Sequence, residues 1–314
     1  MENSKRLIVI LGPTSSGKSE LAVKLAKKFN GEIVSADSRQ IYKGMDIGTG
    51  KITEKEMKGV PHHLLSVASP KRIFTVSQYK KLALTAINKI QKKRKIPILC
   101  GGTGFYIQAV VDGITIPEVK PDWLLRSDLD KLGVGKLFEK LKKLDPKRAK
   151  NIDKNNKRRL IRALEIVIKT KKPVPILRKN PLPYPVLILG IKKEGEENKF
   201  SSSPFANARV NEELKKLIEK RFFKWLKQGL IKEVKNLRKS GLSFKKIEDF
   251  GLHYRAISQY LENKITYKEM IENSLTDLKN YAKRQMTWFK RDNRINWIKN
   301  RKQAEKLTKK FLGE

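Results

Sequence analysis

The chain has 314 residues, 39% of them hydrophobic and 33% charged, and 71 Lys+Arg against 32 Asp+Glu leave a formal net charge of +39. The apolar share is enough for a sizeable core, so the charge does not mark a disordered basic tail; it points to a polyanionic partner, nucleic acid before an anionic membrane. No apolar run approaches the ~18 to 20 residues of a bilayer span, no secretory cleavage pattern follows Lys5 and Arg6, and the single Cys100 excludes an intrachain disulfide, so a cytoplasmic protein without membrane attachment is expected.

In chain order, Leu7–Leu11 reads as a fully buried strand closed by Gly12-Pro13, followed by a helix from about Gly17 with Leu21, Ala22, Leu25 and Ala26 on one side. Ile33–Asp37 is a second strand that ends in a carboxylate. A helix from about Ser77 carries Tyr79, Leu82, Ala83, Ala86, Ile87 and Ile90 at helical period, and Pro97–Cys100 is a third strand closed by Gly101-Gly102-Thr103-Gly104. His62-His63 reads as a local hydrogen-bonding element, because adjacent residues in an extended segment point to opposite faces. Beyond Gly113 the pattern turns helical and basic: residues 131–180 carry a net +14, against +3 for residues 1–50. Val186–Ile191 is a further buried strand, a Ser/Pro/Asn linker follows around 198–208, the chain is helical from about Asn211 to Arg291, and Ile295–Ile298 is a short edge strand. Alternating strands and helices predict an α/β fold, a P-loop NTPase-like parallel sheet flanked by helices with a mostly helical insertion. The expected parts are a P-loop core over 1–115, a basic helical insertion over 116–180, and a return to the core with C-terminal helices over 181–314.

Gly12-Pro13-Thr14-Ser15-Ser16-Gly17-Lys18-Ser19 fits G-x-x-x-x-G-K-[ST] between a predicted strand and a predicted helix. In such a loop backbone N–H groups and the helix N-terminus cradle phosphates, Lys18 bridges their oxygens, and the Ser19 hydroxyl can hold Mg²⁺. The loop binds a di- or triphosphate without deciding which bond breaks. Asp37 leaves the second strand at the same sheet edge, where it could accept a proton, bind Mg²⁺ through water, or simply form an Asx turn. Thr103 adds a hydroxyl at that edge.

Two polar residues sit on apolar helical stripes. Arg221 falls among Leu214, Leu217, Ile218, Phe222, Trp225 and Leu226, and a buried arginine needs an anion, either an internal carboxylate or a bound phosphate. Gln285 lies among Leu278, Tyr281, Ala282, Trp288 and Phe289, as a core amide fixing backbone groups or as a contact to substrate or nucleic acid. Lys283, Arg284, Lys290, Arg291 and Arg294 interleave with these aromatics, a composition suited to phosphates plus stacking surfaces.

The ordered set of the phosphate loop, Asp37-Ser38-Arg39-Gln40-Ile41-Tyr42, Asp46-Ile47-Gly48-Thr49, Pro61-His62-His63, Gly101-Gly102-Thr103, Arg159 with Arg162-Ala163-Leu164-Glu165, Gly229-Leu230 with Glu233-Val234, and Tyr281-Ala282-Lys283-Arg284-Gln285 before Thr287-Trp288-Phe289 resembles the bacterial tRNA dimethylallyltransferases over most of the chain. The resemblance implies transfer of a dimethylallyl group from dimethylallyl diphosphate to N6 of adenine 37 in the tRNA anticodon loop, with Mg²⁺ as cofactor. It implies that Gly12, Pro13, Thr14, Ser15, Ser16, Gly17, Lys18 and Ser19 hold the diphosphate, that Asp37 is the general base, and that Arg221 contacts the diphosphate. Lys18 and Thr103 join the catalytic set. Asp37, Ser38, Arg39, Gln40, Thr103, Arg126, Arg158, Arg159, Arg162 and Gln285 match tRNA-contact positions. The family's Gly-Tyr-Lys or Gly-Tyr-Arg motif appears here as Gly251-Leu252-His253-Tyr254-Arg255, a departure from the pattern. A monomer is expected. The rival readings are an adenylate isopentenyltransferase acting on free AMP or ATP, a P-loop kinase of small metabolites, and a non-catalytic RNA-binding protein.

Overall fold

The computed structural model describes residues 5–115, 117, 119–192 and 212–313. They form two compact units, Met1–Asp112 with Pro181–Glu314, and Gly113–Asn180. The linker predicted around 198–208 lies outside the described residues.

The first unit opens with β1 (Leu7–Leu11), buried along its whole length, as suits a continuous apolar run covered on both faces. The phosphate loop joins it to α1 (Lys18–Lys28), which buries Leu21, Ala22, Leu25 and Ala26 as the pattern predicts. β2 (Gly31–Ser35), α2 (Glu54–Met57), β3 (His62–His63), α3 (Val76–Lys92), β4 (Ile96–Gly101) and α4 (Gly104–Val111) follow. A capping box between Thr75 and Gln78 starts α3; its inner face is Tyr79, Ala83, Ala86, Ile87 and Ile90, while Leu82, expected on that face, is exposed.

The second unit is helical: α5 (Trp123–Asp130), α6 (Val134–Leu144), α7 (Pro146–Lys150) and α8 (Lys157–Thr170). Leu129, Leu137, Leu141, Ala149, Leu160, Ile161, Ala163 and Leu164 make its own small core. Asp122, Asp145 and Asn156 cap α5, α7 and α8 by accepting backbone N–H bonds.

The chain returns to the first unit with β5 (Val186–Ile191), then α9 (Glu212–Lys227), α10 (Leu230–Lys239), α11 (Phe244–Glu248), α12 (Leu252–Leu261), α13 (Tyr267–Phe289), β6 (Asn296–Ile298) and α14 (Arg301–Leu312). The six strands form one sheet in the order β3-β2-β4-β1-β5-β6, and every pairing is parallel. All carboxyl ends therefore face one edge, and the loops after β1, β2 and β4 open there side by side. Helices α9–α13 wrap a separate core of Leu214, Ile218, Phe222, Trp225, Tyr254 and Leu278, into which the segment after β2 inserts Ile41, Tyr42 and Met45. That insertion brings α9 and α12 against the loop following β2.

Candidate functional site

Three loops at the carboxyl edge are tied to one another. In the first, Ser15 (φ 63°) and Gly17 (φ 88°) adopt left-handed backbone, the alternation that turns successive N–H groups into an anion-binding concavity. Gly12 is required by crowding, since a Cβ there would lie 2.8 Å from the Ser16 hydroxyl. Among the described residues the buried Ser15 and Ser16 hydroxyls have no hydrogen-bond partner, which leaves both available to an oxygen bound in the loop. Lys18 folds back to donate to the Pro13 carbonyl at 3.0 Å.

In the second loop, the Asp37 Oδ1 accepts from the Arg39 N–H (2.8 Å) and the Gln40 N–H (3.3 Å). The Asx turn and a proton-accepting role are thus compatible, because Oδ2 lies outside the turn. Ser38 N donates to the Thr103 hydroxyl at 3.0 Å, and Thr103 N donates to Ala36 O at 3.1 Å. Thr103, from the third loop, therefore fixes the frame of Asp37. Gly101 makes that approach possible: a Cβ there would lie 2.1 Å from the Ala36 carbonyl. Arg39 Nε donates to Phe250 O (3.0 Å), and Gln40 Nε2 donates to Thr49 O and Gly50 O (both 3.3 Å).

Gln285 completes the frame from α13. Its Oε1 accepts from Thr14 N and its Nε2 donates to Gly102 O, both at 2.8 Å, so one buried amide joins the phosphate loop to the loop after β4. Of the two roles the sequence left open, the backbone-fixing one is visible in these bonds.

Arg221 projects from α9 toward this corner. Its guanidinium lies 4.8 Å from the Trp225 ring centroid and donates to Gly50 O at 3.3 Å. Gly50 (φ 56°) is where the backbone comes closest, since a Cβ there would lie 1.8 Å from Nη2. Among the described residues no carboxylate pairs with Arg221, so the internal partner considered from sequence is absent. Burial lowers its pKa despite the charges of Asp37 and Glu56. Lys18 is pushed down to about 8, first by burial and then by the positive charge of Arg221. Two cations, each desolvated and each within the field of Asp37, thus stand beside the phosphate loop with no ion-pair partner among the described residues, an arrangement that can receive a di-anion.

The chemistry around Asp37 is one-sided. Burial pushes up the hydroxyls of Tyr79, Tyr106 and Tyr281, with the Asp37 charge adding to each. Burial likewise holds the Cys100 thiol at about 12. His253, between Trp225 and Tyr254 (ring centroids 5.3 and 4.7 Å), is pushed down to about 3 by burial, the Arg221 charge adding to it, and stays neutral.

No group of three or more His, Cys, Asp or Glu among the described residues could hold a metal ion. Mg²⁺ asks for less: it keeps several waters and substrate phosphate oxygens and takes one or two protein oxygens. The exposed Ser19 hydroxyl in the first turn of α1 fits that demand.

Within the second unit, Arg126 grips the buried Glu165 in a two-pronged pair (2.8 and 2.7 Å). Arg162 bonds the same carboxylate and Val119 O. Burial alone would raise the Glu165 pKa, but these arginines and the Asp122 N–H lower it. Two residues expected to contact tRNA therefore have donors committed inside the unit, whereas Arg158 and Arg159 are exposed on the first turn of α8. Sequence reasoning gave no role to Gly50 or Glu233; Glu233 stood in a quoted motif, and Gly50 gave no signal beyond following Asp46-Ile47-Gly48-Thr49.

The chain matches the IPP transferase family over residues 40–292. It is 40% identical to the tRNA dimethylallyltransferase of Carboxydothermus hydrogenoformans, covering 99% of this chain and 97% of that protein. The enzyme of the same name from Acetivibrio thermocellus is also 40% identical, over 93% of this chain and 91% of its own length. Among solved structures, the tRNA delta(2)-isopentenylpyrophosphate transferase of Staphylococcus epidermidis superposes with a TM-score of 0.67 at 33% identity, covering 98% of this chain and 99% of that one. A eukaryotic dimethylallyltransferase acting on tRNA gives 0.67 at 27% identity, over 91% of this chain and 70% of its own.

Proposed function

The chain belongs to the IPP transferase family, and from that membership we propose that it transfers the dimethylallyl group of dimethylallyl diphosphate to N6 of adenine 37 in the tRNA anticodon loop, releasing diphosphate. The observation that carries this is the pair of desolvated cations, Lys18 and Arg221, which have no ion-pair partner among the described residues and stand beside the phosphate loop within electrostatic reach of Asp37.

In the transfer, the N6–C1 bond forms as the C1–oxygen bond to diphosphate breaks, and the N6 proton passes to Asp37. The adenine amine is a weak nucleophile, so a positioned base and a stabilised leaving group must share the barrier. Residues 12–19 offer backbone N–H groups and hydroxyls to the departing diphosphate, and Lys18 and Arg221 neutralise its growing charge. Thr103, Ser38 and Gln40 hold the turn that aims Asp37, and Gln285 keeps the phosphate loop in register with Gly102. Ser19 would hold Mg²⁺, which supplies further neutralisation of the diphosphate when bound. A stacked base cannot reach such a site, so adenine 37 is extruded from its loop.

The basic second unit, with Arg158 and Arg159 exposed, supplies counterion-releasing contacts to the tRNA backbone. Arg126 and Arg162 act there by shaping the unit around Glu165. No helix among the described residues is long and apolar enough to cross a membrane. With tRNA as the acceptor, we place the activity in the cytoplasm and in a monomer. The test is incubation with radiolabelled dimethylallyl diphosphate, Mg²⁺ and either tRNA or AMP. Label is expected in tRNA alone; label in AMP, or in neither acceptor, overturns the proposal.

A further inference from the structure

Glu233 is a carboxylate in the first turn of α10, 7% exposed and without a cationic partner among the described residues. Its two oxygens are fully used in another way. Oε2 accepts the N–H groups of Asp46 (2.7 Å) and Ile47 (2.6 Å), and Oε1 accepts Gly48 N–H (3.1 Å) and the Tyr254 hydroxyl (2.8 Å). Three successive backbone donors thus close on one side chain some 185 residues away in sequence. Such a clamp fixes a loop far more tightly than a neutral hydrogen bond, because each bond is charge-assisted.

The clamped loop leads into the site. Gly48 is pressed so closely that a Cβ would lie 2.6 Å from the Tyr254 hydroxyl and 2.7 Å from His253 Nε2. Two residues on, the Gly50 carbonyl receives Arg221 Nη2 and Gln40 Nε2, both at 3.3 Å, and Gln40 N bonds Asp37 Oδ1. Hydrogen bonds joined by the short backbone step from Gly48 to Gly50 therefore connect Glu233 to the arginine on the leaving-group side, and, through Gln40, to the carboxylate on the proton-accepting side. Gly50 O is the only protein acceptor bonded to Arg221 among the described residues. Its position decides where the guanidinium points.

We propose that Glu233 is a positioning residue for the transfer reaction: by holding residues 46–48 it sets the Gly50 carbonyl, and through it the orientation of Arg221. It touches neither substrate. The chemical demand is specific. All four partners are donors, so an amide at this position would turn an N–H toward an N–H. Glu233→Gln should break the clamp at equal volume, and Tyr254→Phe should remove only one of its four bonds.

This rests on the proposed transferase reading, so the wild-type enzyme must first show transfer to tRNA; its absence would count against that reading and not against the clamp. Given activity, E233Q should lower kcat/KM for dimethylallyl diphosphate at least 30-fold, with tRNA affinity within threefold of wild type. Y254F should lower it about three- to tenfold. The decisive arm is a cycle with Arg221→Met, read as donor kcat/KM. If Glu233 acts through Arg221, E233Q placed on R221M should cost less than threefold more. Full multiplication of the two losses, or an E233Q enzyme within threefold of wild type, overturns the proposal. Should E233Q fail to fold, the same cycle with Y254F decides by the same criterion.

Discussion

Arg221→Met separates a ligand-binding charge from a structural one, because the two give opposite signs. In the free protein the guanidinium makes one hydrogen bond among the described residues, to Gly50 O, and lies over Trp225. These are worth about 1.5 kcal/mol for the long, charged bond and ~1 to 2 kcal/mol for the ring contact. Against them stands the cost of holding an unpaired ion away from water, several kcal/mol, plus repulsion from Lys18. Methionine fills the same space without charge, so the free variant should be as stable as wild type or gain about 1 kcal/mol. Function should move the other way. Losing two charge-assisted bonds to a diphosphate costs about 3 to 4 kcal/mol, or ~10²- to 10³-fold in kcat/KM for the donor. Urea unfolding with and without inorganic diphosphate reads both quantities. At a diphosphate concentration of 100 Kd, wild type should gain about 2.7 kcal/mol. A variant whose Kd is 100-fold weaker should gain only about 0.4 kcal/mol at that concentration. A ligand-free R221M protein several kcal/mol less stable than wild type, with donor kinetics intact, would refute this account.

Three other outcomes follow from the same geometry. Lys18 has a free-enzyme pKa of about 8, lowered by burial and by Arg221, and diphosphate needs its charged form; kcat/KM for the donor should therefore fall as pH rises through about 8, and R221M should move that limb upward. Gly50→Ala puts a Cβ 1.8 Å from Arg221 Nη2 at a left-handed φ of 56°; it should cost ~1 kcal/mol of stability and at least tenfold in donor kcat/KM, measured by melting and steady-state kinetics. Glu32, which burial alone would raise, is held at about 2 by hydrogen bonds from His63, Lys95 and Lys93. Its folded value lies below the ~4.3 of an unfolded glutamate, so its contribution is full above about pH 4 and disappears as pH falls to about 2; Glu32→Gln should flatten acid unfolding in that window.

Much of the fold was legible because it rests on continuous apolar runs. β1 and β5 have the predicted limits, since a strand buried on both faces needs no alternation to be seen. β3 was invisible because two residues carry no periodicity; His62 and His63 are placed by bonds to Val60 O and Glu32. The helical stretch expected from 211 to 291 is broken at Gly229 (φ 98°) and Gly251 (φ 74°), and α14 was not anticipated at all. In the site, Arg221 announced itself as a cation on an apolar stripe, and the phosphate loop by its spacing. What stayed hidden was every long-range commitment of a polar side chain. Gln285 finds its partners 271 and 183 residues away, and Glu233 holds a loop 187 residues away in sequence. Arg126 and Arg162 share a composition with RNA-facing arginines, yet Glu165, buried on α8, claims both. Such choices depend on tertiary proximity, which residue type and local spacing do not encode.

The central claim is that Asp37 takes the N6 proton while the loop and its two cations hold the leaving diphosphate. Asp37→Asn is the sharpest probe, because the amide oxygen can still accept the Arg39 and Gln40 N–H groups that Asp37 Oδ1 accepts, leaving the turn intact while removing the base. Single-turnover transfer from dimethylallyl diphosphate to tRNA should fall by about 10³-fold or more, with the Kd for donor and for tRNA within a few fold of wild type. Transfer within tenfold of wild type would contradict it.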